Sequence, residues 1–336
     1  MTVIINDDPI FGTVEFGDDS GTLADRTRAG DQTIHELEGG FGALVGDART
    51  LAEGASGGDD DILGQNESAV TVVGDAFDML GKTRGGDDIL SARGTFEAKA
   101  VGDALTMSDR AVGGNDDIRV AGDFGAIAYG DAVSMTGRTR GGDDHLGGVT
   151  PFHGGMELYG DADTMSGRAG GGDDTIMGDD LFSRLVGDAK TLSDNARGGN
   201  DVLIAKDQNP TFFPAITEMY GDGLTLEGQA RGGNDRLVSG QGETDRMWGD
   251  AAAMSDQARG GADRFVFGAE NGKDTIEDFQ TSRDRIELHD TDVHNFRELS
   301  ALFEQTADGV LIQFDADNSI LVKGVSELHR GDFLFT

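Results

Sequence analysis

Apolar side chains recur at three fixed places in a unit of about twenty-eight residues, and eight such units follow one another along the chain. Small or polar residues flank each of these places. The spacing predicts short parallel strands stacked coil upon coil. The first column is Val45, Val73, Val101, Tyr129, Tyr159, Val186, Tyr220 and Trp248. The second is Leu51, Met79, Met107, Met135, Met165, Leu192, Leu226 and Met254, and the third is Ile62, Leu90, Ile118, Leu146, Ile176, Leu203, Leu237 and Phe265.

Glycine punctuates every unit at constant spacing. A Gly-Asp pair begins each unit, at Gly46, Gly74, Gly102, Gly130, Gly160, Gly187, Gly221 and Gly249. A Gly-Gly pair follows eleven residues later in all eight units, at Gly57, Gly85, Gly113, Gly141, Gly171, Gly198, Gly232 and Gly260. Helical repeats are disfavoured because each interior glycine would cost a helix about 1 kcal/mol relative to alanine.

The repeat divides the chain into three parts. We expect an N-terminal cap over residues 1–45, where a degenerate copy runs from Gly17 to Asp31. Residues 46–262 form the repeat region, whose longest insert lies around Pro210 to Pro214, and residues 263–336 form a C-terminal cap. The predicted fold is all-β, a right-handed parallel β-roll or β-helix of eight to nine coils.

Aspartate fills the turn that follows each Gly-Gly pair. The second turn aspartate is present in every unit: Asp60, Asp88, Asp116, Asp144, Asp174, Asp201, Asp235 and Asp263. The preceding position holds Asp59, Asp87, Asn115, Asp143 and Asp173. Calcium binds six to eight carboxylate and carbonyl oxygens in irregular geometry, which this turn offers. We therefore predict calcium ions between coils, with carbonyl ligands turned inward by positive backbone angles at Gly58, Gly86, Gly114, Gly142, Gly172, Gly199 and Gly233.

A second column of aspartates follows the first glycine of each unit: Asp47, Asp75, Asp103, Asp131, Asp161, Asp188, Asp222 and Asp250. These residues are either a second ligand set or hydrogen-bonding caps of turns. Asp274 is a further candidate ligand. Carboxylates stacked about 4.8 Å apart repel by roughly 1 kcal/mol per pair even in water, and cations would reverse that sign. Zinc and copper are disfavoured because the chain has no cysteine and its six histidines follow no repeat.

Charge narrows the range of partners. The chain carries 63 acidic against 27 basic residues, a net charge of -36, so it would repel nucleic acid and anionic lipid. Its hydrophobic content of 37% and its periodicity argue against disorder. Residues Met1 to Asp8 lack the features of a signal peptide, and no apolar segment reaches membrane-spanning length. We expect neither membrane insertion nor an N-terminal export signal.

The repeat resembles that of the hemolysin-type repeats-in-toxin family, and Gly-Gly-Asn-Asp-Asp-Ile at 113–118 is typical of it. The resemblance covers roughly residues 46 to 279 and implies a calcium-filled parallel β-roll. It departs in unit length, since the family coil has about eighteen residues and this unit often lacks the middle glycine. Residues from Asp263 onward look like the cap of serralysin-type secreted proteases. Their ending, Asp332-Phe333-Leu334-Phe335, implies an uncleaved signal for the type I secretion machinery and hence a bacterial, extracellular protein that folds on meeting calcium outside the cell.

We predict no catalytic activity. No His-Glu-x-x-His metalloprotease motif occurs, and Gly54-Ala55-Ser56-Gly57-Gly58 matches Gly-x-Ser-x-Gly without a strand-to-helix context. An adhesion, matrix or surface role is expected, with polysaccharide or a cell surface as the partner. A polysaccharide-active β-helix enzyme is one alternative. Its groove could use the arginines before the Gly-Gly pairs, which could equally form an exposed column that offsets aspartate charge: Arg84, Arg140, Arg197, Arg231 and Arg259.

Ice binding is the other alternative. Hydroxyl residues flank the second apolar column and would point outward if that column points inward. Those before the column are Thr50, Thr106, Ser134, Thr164, Thr191 and Thr225; those after it are Ser108, Thr136, Ser166, Ser193 and Ser255. Asp78, Glu227 and Ala253 interrupt the two lines.

Overall fold

The computed structural model describes residues 4–8, 12–37, 42–150, 154–178, 182–206, 216–242 and 244–336. Almost every element is a β-strand, and successive strands run round a solenoid of about nine turns. Each complete turn contributes one strand to each of three sheets, which we name A, B and C. The predicted parallel β-solenoid is thus confirmed, whereas the insert around Pro210 to Pro214 lies outside the described residues.

Sheet A has fourteen strands in the described part of the chain. In spatial order they are β1 (Ile4–Asp8), β2 (Gly12–Phe16), β5 (Ala43–Val45), β8 (Ala69–Val73), β11 (Glu97–Val101), β14 (Gly125–Tyr129), β17 (Gly155–Tyr159), β20 (Phe182–Val186), β23 (Ile216–Tyr220), β26 (Thr244–Trp248), β29 (Lys273–Ile276), β33 (Ser319–Lys323), β32 (Gly309–Gln313) and β31 (Phe303–Gln305). Pairing is parallel except for β1 with β2 and within the last three strands.

Sheets B and C are parallel throughout their described strands. Sheet B contains β3 (Asp19–Leu23), β6 (Ala48–Leu51), β9 (Ala76–Met79), β12 (Ala104–Met107), β15 (Ala132–Met135), β18 (Ala162–Met165), β21 (Ala189–Leu192), β24 (Gly223–Leu226) and β27 (Ala251–Met254). Sheet C contains β4 (Thr33–Glu36), β7 (Asp61–Asn66), β10 (Ile89–Gly94), β13 (Asp117–Gly122), β16 (His145–Val149), β19 (Thr175–Gly178), β22 (Val202–Ala205), β25 (Arg236–Val238), β28 (Arg264–Phe267), β30 (Arg285–Leu288) and β34 (Phe333–Phe335). The described helical elements are short: α1 (Phe296–Leu299) and 3-10 turns at Ser300–Leu302 and Arg330–Asp332.

Equivalent residues of successive coils lie side by side, so the sequence repeat is the strand register. Leu90, for example, pairs with Ile62 on one side and Ile118 on the other. The third apolar column is fully buried between sheets A and C. The second column is buried beneath sheet B against a column of alanines that includes Ala55 and Ala111, except that Met254 of the last coil is 38% exposed.

The first apolar column is also buried, apart from the partly buried Trp248, but on the opposite face of sheet A. Leu44 joins the cluster between sheets A and C, whereas its neighbour Val45 joins a separate cluster with Phe77 of sheet B. Successive side chains of a strand point to opposite faces, so this second cluster fills the outer angle between sheets A and B. Aromatic rings stack along it, with centroids 5.3 Å apart for Tyr129 and Tyr159. The solenoid therefore buries apolar residues on both faces of sheet A.

Both ends of the solenoid are closed by irregular elements. At the start, β1 pairs antiparallel with β2. At the end, residues after β28 continue sheets A and C but not sheet B, through β29 with β33 and β30 with β34. No helix in the described ranges is long and apolar enough to cross a membrane.

Candidate metal site: two files of buried aspartate

Two of the predicted aspartate columns run through the interior of the solenoid. We call the residues that follow the first glycine of each unit the corner file: Asp47, Asp75, Asp103, Asp131, Asp161, Asp188, Asp222 and Asp250. The second turn aspartates form the inner file: Asp60, Asp88, Asp116, Asp144, Asp174, Asp201, Asp235 and Asp263. All sixteen side chains are buried, with at most 2% exposure. Such burial demands hydrogen bonds and a compensating charge.

The corner file ties each coil to itself. The Asp131 carboxylate accepts a hydrogen bond from the backbone N–H of Gly142 at 2.8 Å, eleven residues later in the same coil. Equivalent bonds of 2.5 to 3.2 Å occur in all eight units. The constant eleven-residue offset in the sequence follows from this bond, because an inserted residue would separate its two partners. These bonds show the capping role, one of the two alternatives for this column, and in six of the eight residues one oxygen remains without a partner.

The inner file ties each coil to its neighbour. The Asp144 Oδ1 accepts a hydrogen bond from the backbone N–H of Asp116 in the preceding coil at 2.7 Å. The same bond, 2.6 to 3.0 Å long, repeats from Gln32 to Asp263. Each of these carboxylates therefore serves as an extra rung between coils through one oxygen only.

In fourteen of these sixteen aspartates one carboxylate oxygen lacks a hydrogen-bond partner. Oδ2 is buried without a hydrogen bond in all eight inner-file residues. In the corner file, six residues likewise have one buried oxygen without a hydrogen bond: Asp47, Asp103, Asp131, Asp161, Asp188 and Asp222. A buried, unpartnered carboxylate oxygen is costly unless a proton or a cation neutralises it.

Unpartnered oxygens converge in the narrow spaces above the glycines. A methyl group on Gly130 would overlap both Oδ2 of Asp144 and the carbonyl oxygen of Gly160, so these two oxygens face the same small space. In the described part of the chain no backbone hydrogen bond ends on that carbonyl or on its equivalents in other coils. The arrangement recurs at Gly46, Gly74, Gly102, Gly160, Gly187 and Gly221. Every such space thus pairs a carboxylate oxygen with a carbonyl oxygen.

The corner file places carboxylates of adjacent coils together in the same way. A methyl group on Gly113 would overlap both Oδ1 of Asp131 and Oδ2 of Asp103, which belong to successive coils. Two carboxylate oxygens facing one space cannot both remain ionised without a positive charge between them. The file is therefore continuous along the solenoid axis.

Burial has the expected effect on proton affinity. It raises the pKa of Asp47 to about 7 and that of Asp60 to about 8. Deeper in the solenoid, burial raises the pKa of Asp144 well above its ordinary value, and the charges on Asp103 and Asp161 add to the rise. Within the protein alone, the two files therefore hold their negative charge poorly near neutral pH.

The adjacent turn position lies outside the interior. The predicted ligands Asp59, Asp87, Asn115, Asp143 and Asp173 have exposed side chains, and we call this column the outer file. Their Oδ1 atoms accept hydrogen bonds from the backbone of the following coil, as Asp143 does from Asp173 N–H at 2.9 Å. Asparagine performs this role equally, since Asn115 Oδ1 accepts from Asp143 N–H at 2.7 Å. The structure does not bring these five residues together with the buried oxygens.

The prediction that the turn glycines have positive backbone φ angles is wrong. Gly58, Gly86, Gly114, Gly142, Gly172, Gly199 and Gly233 are absent from the positive-φ residues of the described chain. Positive φ occurs instead at the tight turn after sheet B, for example at Gly81 and Gly137. The turn glycines are required by close approach, because a methyl group on Gly142 would overlap the backbone carbonyl oxygen of Gly114.

Asp274 belongs to neither file. Its Oδ1 accepts from Asp245 N–H, and its Oδ2 accepts from Ser239 Oγ and Asn271 Nδ2, each at 2.9 Å. Its buried neighbour Asp245, which the sequence did not single out, lies in register with Thr217 of the preceding coil. The available signal was a change at this register position, from apolar residues up to Met156 to polar residues from Ser183 onward.

A cation would have to be held largely by backbone oxygens. Among the residues that the structure describes, no group of three or more His, Cys, Asp or Glu side chains forms a metal site. The donor set in each space is nevertheless all oxygen, mixing an unpartnered carboxylate with an unpartnered carbonyl. Such donors suit calcium and do not suit zinc or copper.

The other sequence candidates occupy separate surfaces. Ser56 lies in a column of parallel bridges with Arg84, and no helix follows it, so the Gly-x-Ser-x-Gly match does not form a nucleophile elbow. The arginines of that column are exposed. Along sheet B, Thr106 pairs in register with Asp78 and Ser134, so the hydroxyl line before the second apolar column exists as a row of adjacent residues.

Comparison with known proteins adds no family assignment. No protein-family model, curated protein sequence or solved structure matches this chain significantly. The candidate site therefore rests on the geometry of the two aspartate files.

Proposed function

We propose that this chain is a secreted calcium-binding solenoid, of the hemolysin-type repeat kind, that folds when calcium enters its aspartate files outside the cell. The observation that carries the proposal is the regular series of buried carboxylate oxygens without hydrogen-bond partners, of which seven in the inner file each lie beside a carbonyl oxygen in the same condition. Calcium supplies the missing charge and accepts that donor set. The role is structural, as the scaffold of an adhesive, matrix or surface protein, and involves no catalysis.

Linkage gives a physical basis for export followed by folding. An ion that binds only the folded state stabilises it by RT ln(1 + [L]/Kd) at each site. The contributions of several sites add, so folding responds steeply to the calcium concentration. At the low calcium of a cytosol, sixteen buried aspartates oppose folding, and the chain stays extended enough for a type I secretion channel. Millimolar calcium outside then favours the folded solenoid. The resemblance of residues from Asp263 onward to the cap of serralysin-type secreted proteases supports this route.

Protons shared between carboxylates could also neutralise the two aspartate files. One substitution distinguishes protons from calcium. Asp144→Asn retains Oδ1 as the acceptor for Asp116 N–H but places an amide where Oδ2 faces the carbonyl of Gly160. If calcium fills the space, we expect the calcium concentration at the folding midpoint to rise at least about tenfold, the equivalent of 1.4 kcal/mol. Circular dichroism during a calcium titration measures it.

Asp143→Asn is the matched control. It removes the same charge one residue away, on the exposed outer file, where asparagine already occupies position 115. Its calcium midpoint should stay near that of the parent chain. An Asp144→Asn protein that folds without calcium, or with an unchanged midpoint, would show that protons and not calcium occupy the files.

A further inference from the structure

A cleft of about 610 Å³ opens on the outer face of sheet C, across the strands β10 to β22. Gly147 lies at its centre, where its neighbours in adjacent strands are Arg119 and Met177. The nearest atom to a methyl group built on Gly147 would be Met177 O at 3.9 Å, so the glycine leaves open space. The cleft therefore arises from a missing side chain in an outward-facing row.

The cleft concentrates positive charge on a strongly acidic protein. The cations Arg93, Arg119 and Lys206 line it together with His145, against one acidic lining residue, Asp117. Asp117 faces the Nε of Arg119 at 3.4 Å, and both side chains are at least half exposed. In a chain of net charge -36, such a grouping creates a local attraction for anions. Guanidinium groups bind carboxylates through paired hydrogen bonds.

Exposed apolar side chains lie in the wall of the cleft and on the turns that follow two of its strands. Val149 and Met177 form part of its wall and are 41% and 48% exposed. Phe96 and Phe124 lie just beyond the ends of β10 and β13, with rings stacked at 5.6 Å and exposures of 59% and 62%. Contiguous exposed apolar surface beside polar groups marks binding sites.

The shape and direction of the cleft restrict its occupant. Arg93, Arg119 and His145 lie on successive strands of sheet C, but each is displaced by two residues along its strand relative to the one before. They therefore form a diagonal row across the sheet, and Lys206 follows two coils further on. Backbone groups of the sheet are paired between neighbouring strands, which leaves no free edge for a peptide to add as a strand. A linear chain with repeated carboxylates and apolar faces fits both the row of basic residues and the exposed aromatic pair.

We propose that this cleft binds an acidic polysaccharide built from uronate sugars, with Arg93 and Arg119 binding carboxylates and Phe96 and Phe124 stacking on sugar faces. The inference gives the surface role in the proposed function a ligand and a site, and it rests on that function only in requiring the folded solenoid. Its failure is separable, because folding is measured independently of ligand binding.

The test is calorimetric titration of the full chain in calcium with a uronate oligosaccharide, a neutral oligosaccharide of equal length and polyglutamate. We expect saturable binding of the uronate alone. Arg119→Gln, and Gly147→Leu, which fills the open space, should each weaken it at least tenfold. Arg231→Gln is the matched control, since Arg231 is exposed in the bridge column and does not line the cleft. Circular dichroism verifies that each variant is folded, and Arg93→Gln replaces any that is not.

Several results would overturn the inference. Uronate binding that persists in Arg119→Gln and Gly147→Leu would mean that calcium bridges sugar and surface carboxylates elsewhere. Equal binding of the neutral sugar would remove the role of charge. Tighter binding of polyglutamate would identify an acidic peptide as the occupant. Absence of uronate binding to folded protein would refute the site while leaving calcium-dependent folding intact.

Discussion

Removing calcium at mildly alkaline pH is expected to abolish the β-sheet circular dichroism of this protein, and restoring millimolar calcium is expected to recover it. The reason is the sixteen buried aspartates, fourteen of which keep an unpartnered oxygen in the interior when no cation is bound. Their combined electrostatic cost is comparable to the stability of a whole domain, about 5 to 15 kcal/mol. We expect loss of the ordered solenoid and not a modest shift in melting temperature.

Acid should partly replace calcium, and the direction follows from the pKa values. In the metal-free fold, burial raises the pKa of Asp103 to about 6, of Asp47 to about 7 and of Asp60 to about 8. In the unfolded chain these groups titrate near about 3.9. The folded state thus binds more protons, so its stability is fully present below pH 4 or so and is lost as pH rises through 6 to 8.

Circular dichroism and light scattering with chelator, across this pH range, measure both effects. Magnesium in place of calcium is the control for general charge screening, because magnesium requires near-octahedral geometry and keeps its water ligands. A chelated protein that is fully β and compact at alkaline pH would contradict the metal-dependent account.

Gly142→Ala is expected to be among the most damaging single substitutions in the chain. The added methyl group would overlap the carbonyl oxygen of Gly114, which is backbone in a stacked turn and cannot rotate away. The turn would have to separate from its neighbour, breaking the hydrogen bond from Gly142 N–H to Asp131. We expect a loss of about 4 kcal/mol or more in the free energy of unfolding.

Gly147→Ala provides the comparison within the same coil. Its methyl group would meet no atom closer than 3.9 Å, so a change within about 0.5 kcal/mol is expected. Thermal unfolding of both variants in saturating calcium gives the difference. Equal melting temperatures for the two variants would show that the turns do not stack as closely as described.

The sequence predicted the coils well because stacking forces equivalent residues into register. An apolar residue such as Leu90 must meet Ile62 and Ile118, so burial appears as an exact repeat. The eleven-residue offset is equally visible, since the bond between Asp131 and Gly142 tolerates no insertion. The face of sheet A on which Val45 lies could not be predicted. Leu44 beside it is also apolar, so the alternation of side chains along the strand does not show which of the two points toward sheet C.

The candidate site was predicted only in part. Neighbouring aspartates such as Asp143 and Asp144 are the same residue type, yet one is exposed and the other buried. One signal separates them: asparagine occurs in the outer file at positions 115, 200 and 234 and never in the inner file. An amide can supply the single acceptor oxygen that the outer file needs, whereas the inner file keeps its carboxylates.

The hydrogen bonds of the inner file have a polarity that bears on synthesis. Each coil donates its amide to an aspartate of the coil that comes later in the chain, as Asp235 donates to Asp263. In a growing chain, the newest coil therefore always has a backbone N–H whose aspartate acceptor has yet to be translated. The series ends where Asp263 donates to Asp284, outside the repeat units, and where Asp278 accepts from Gly249 and Asp250. The last coil of the stack thus finds its acceptors only in residues that follow the repeat units.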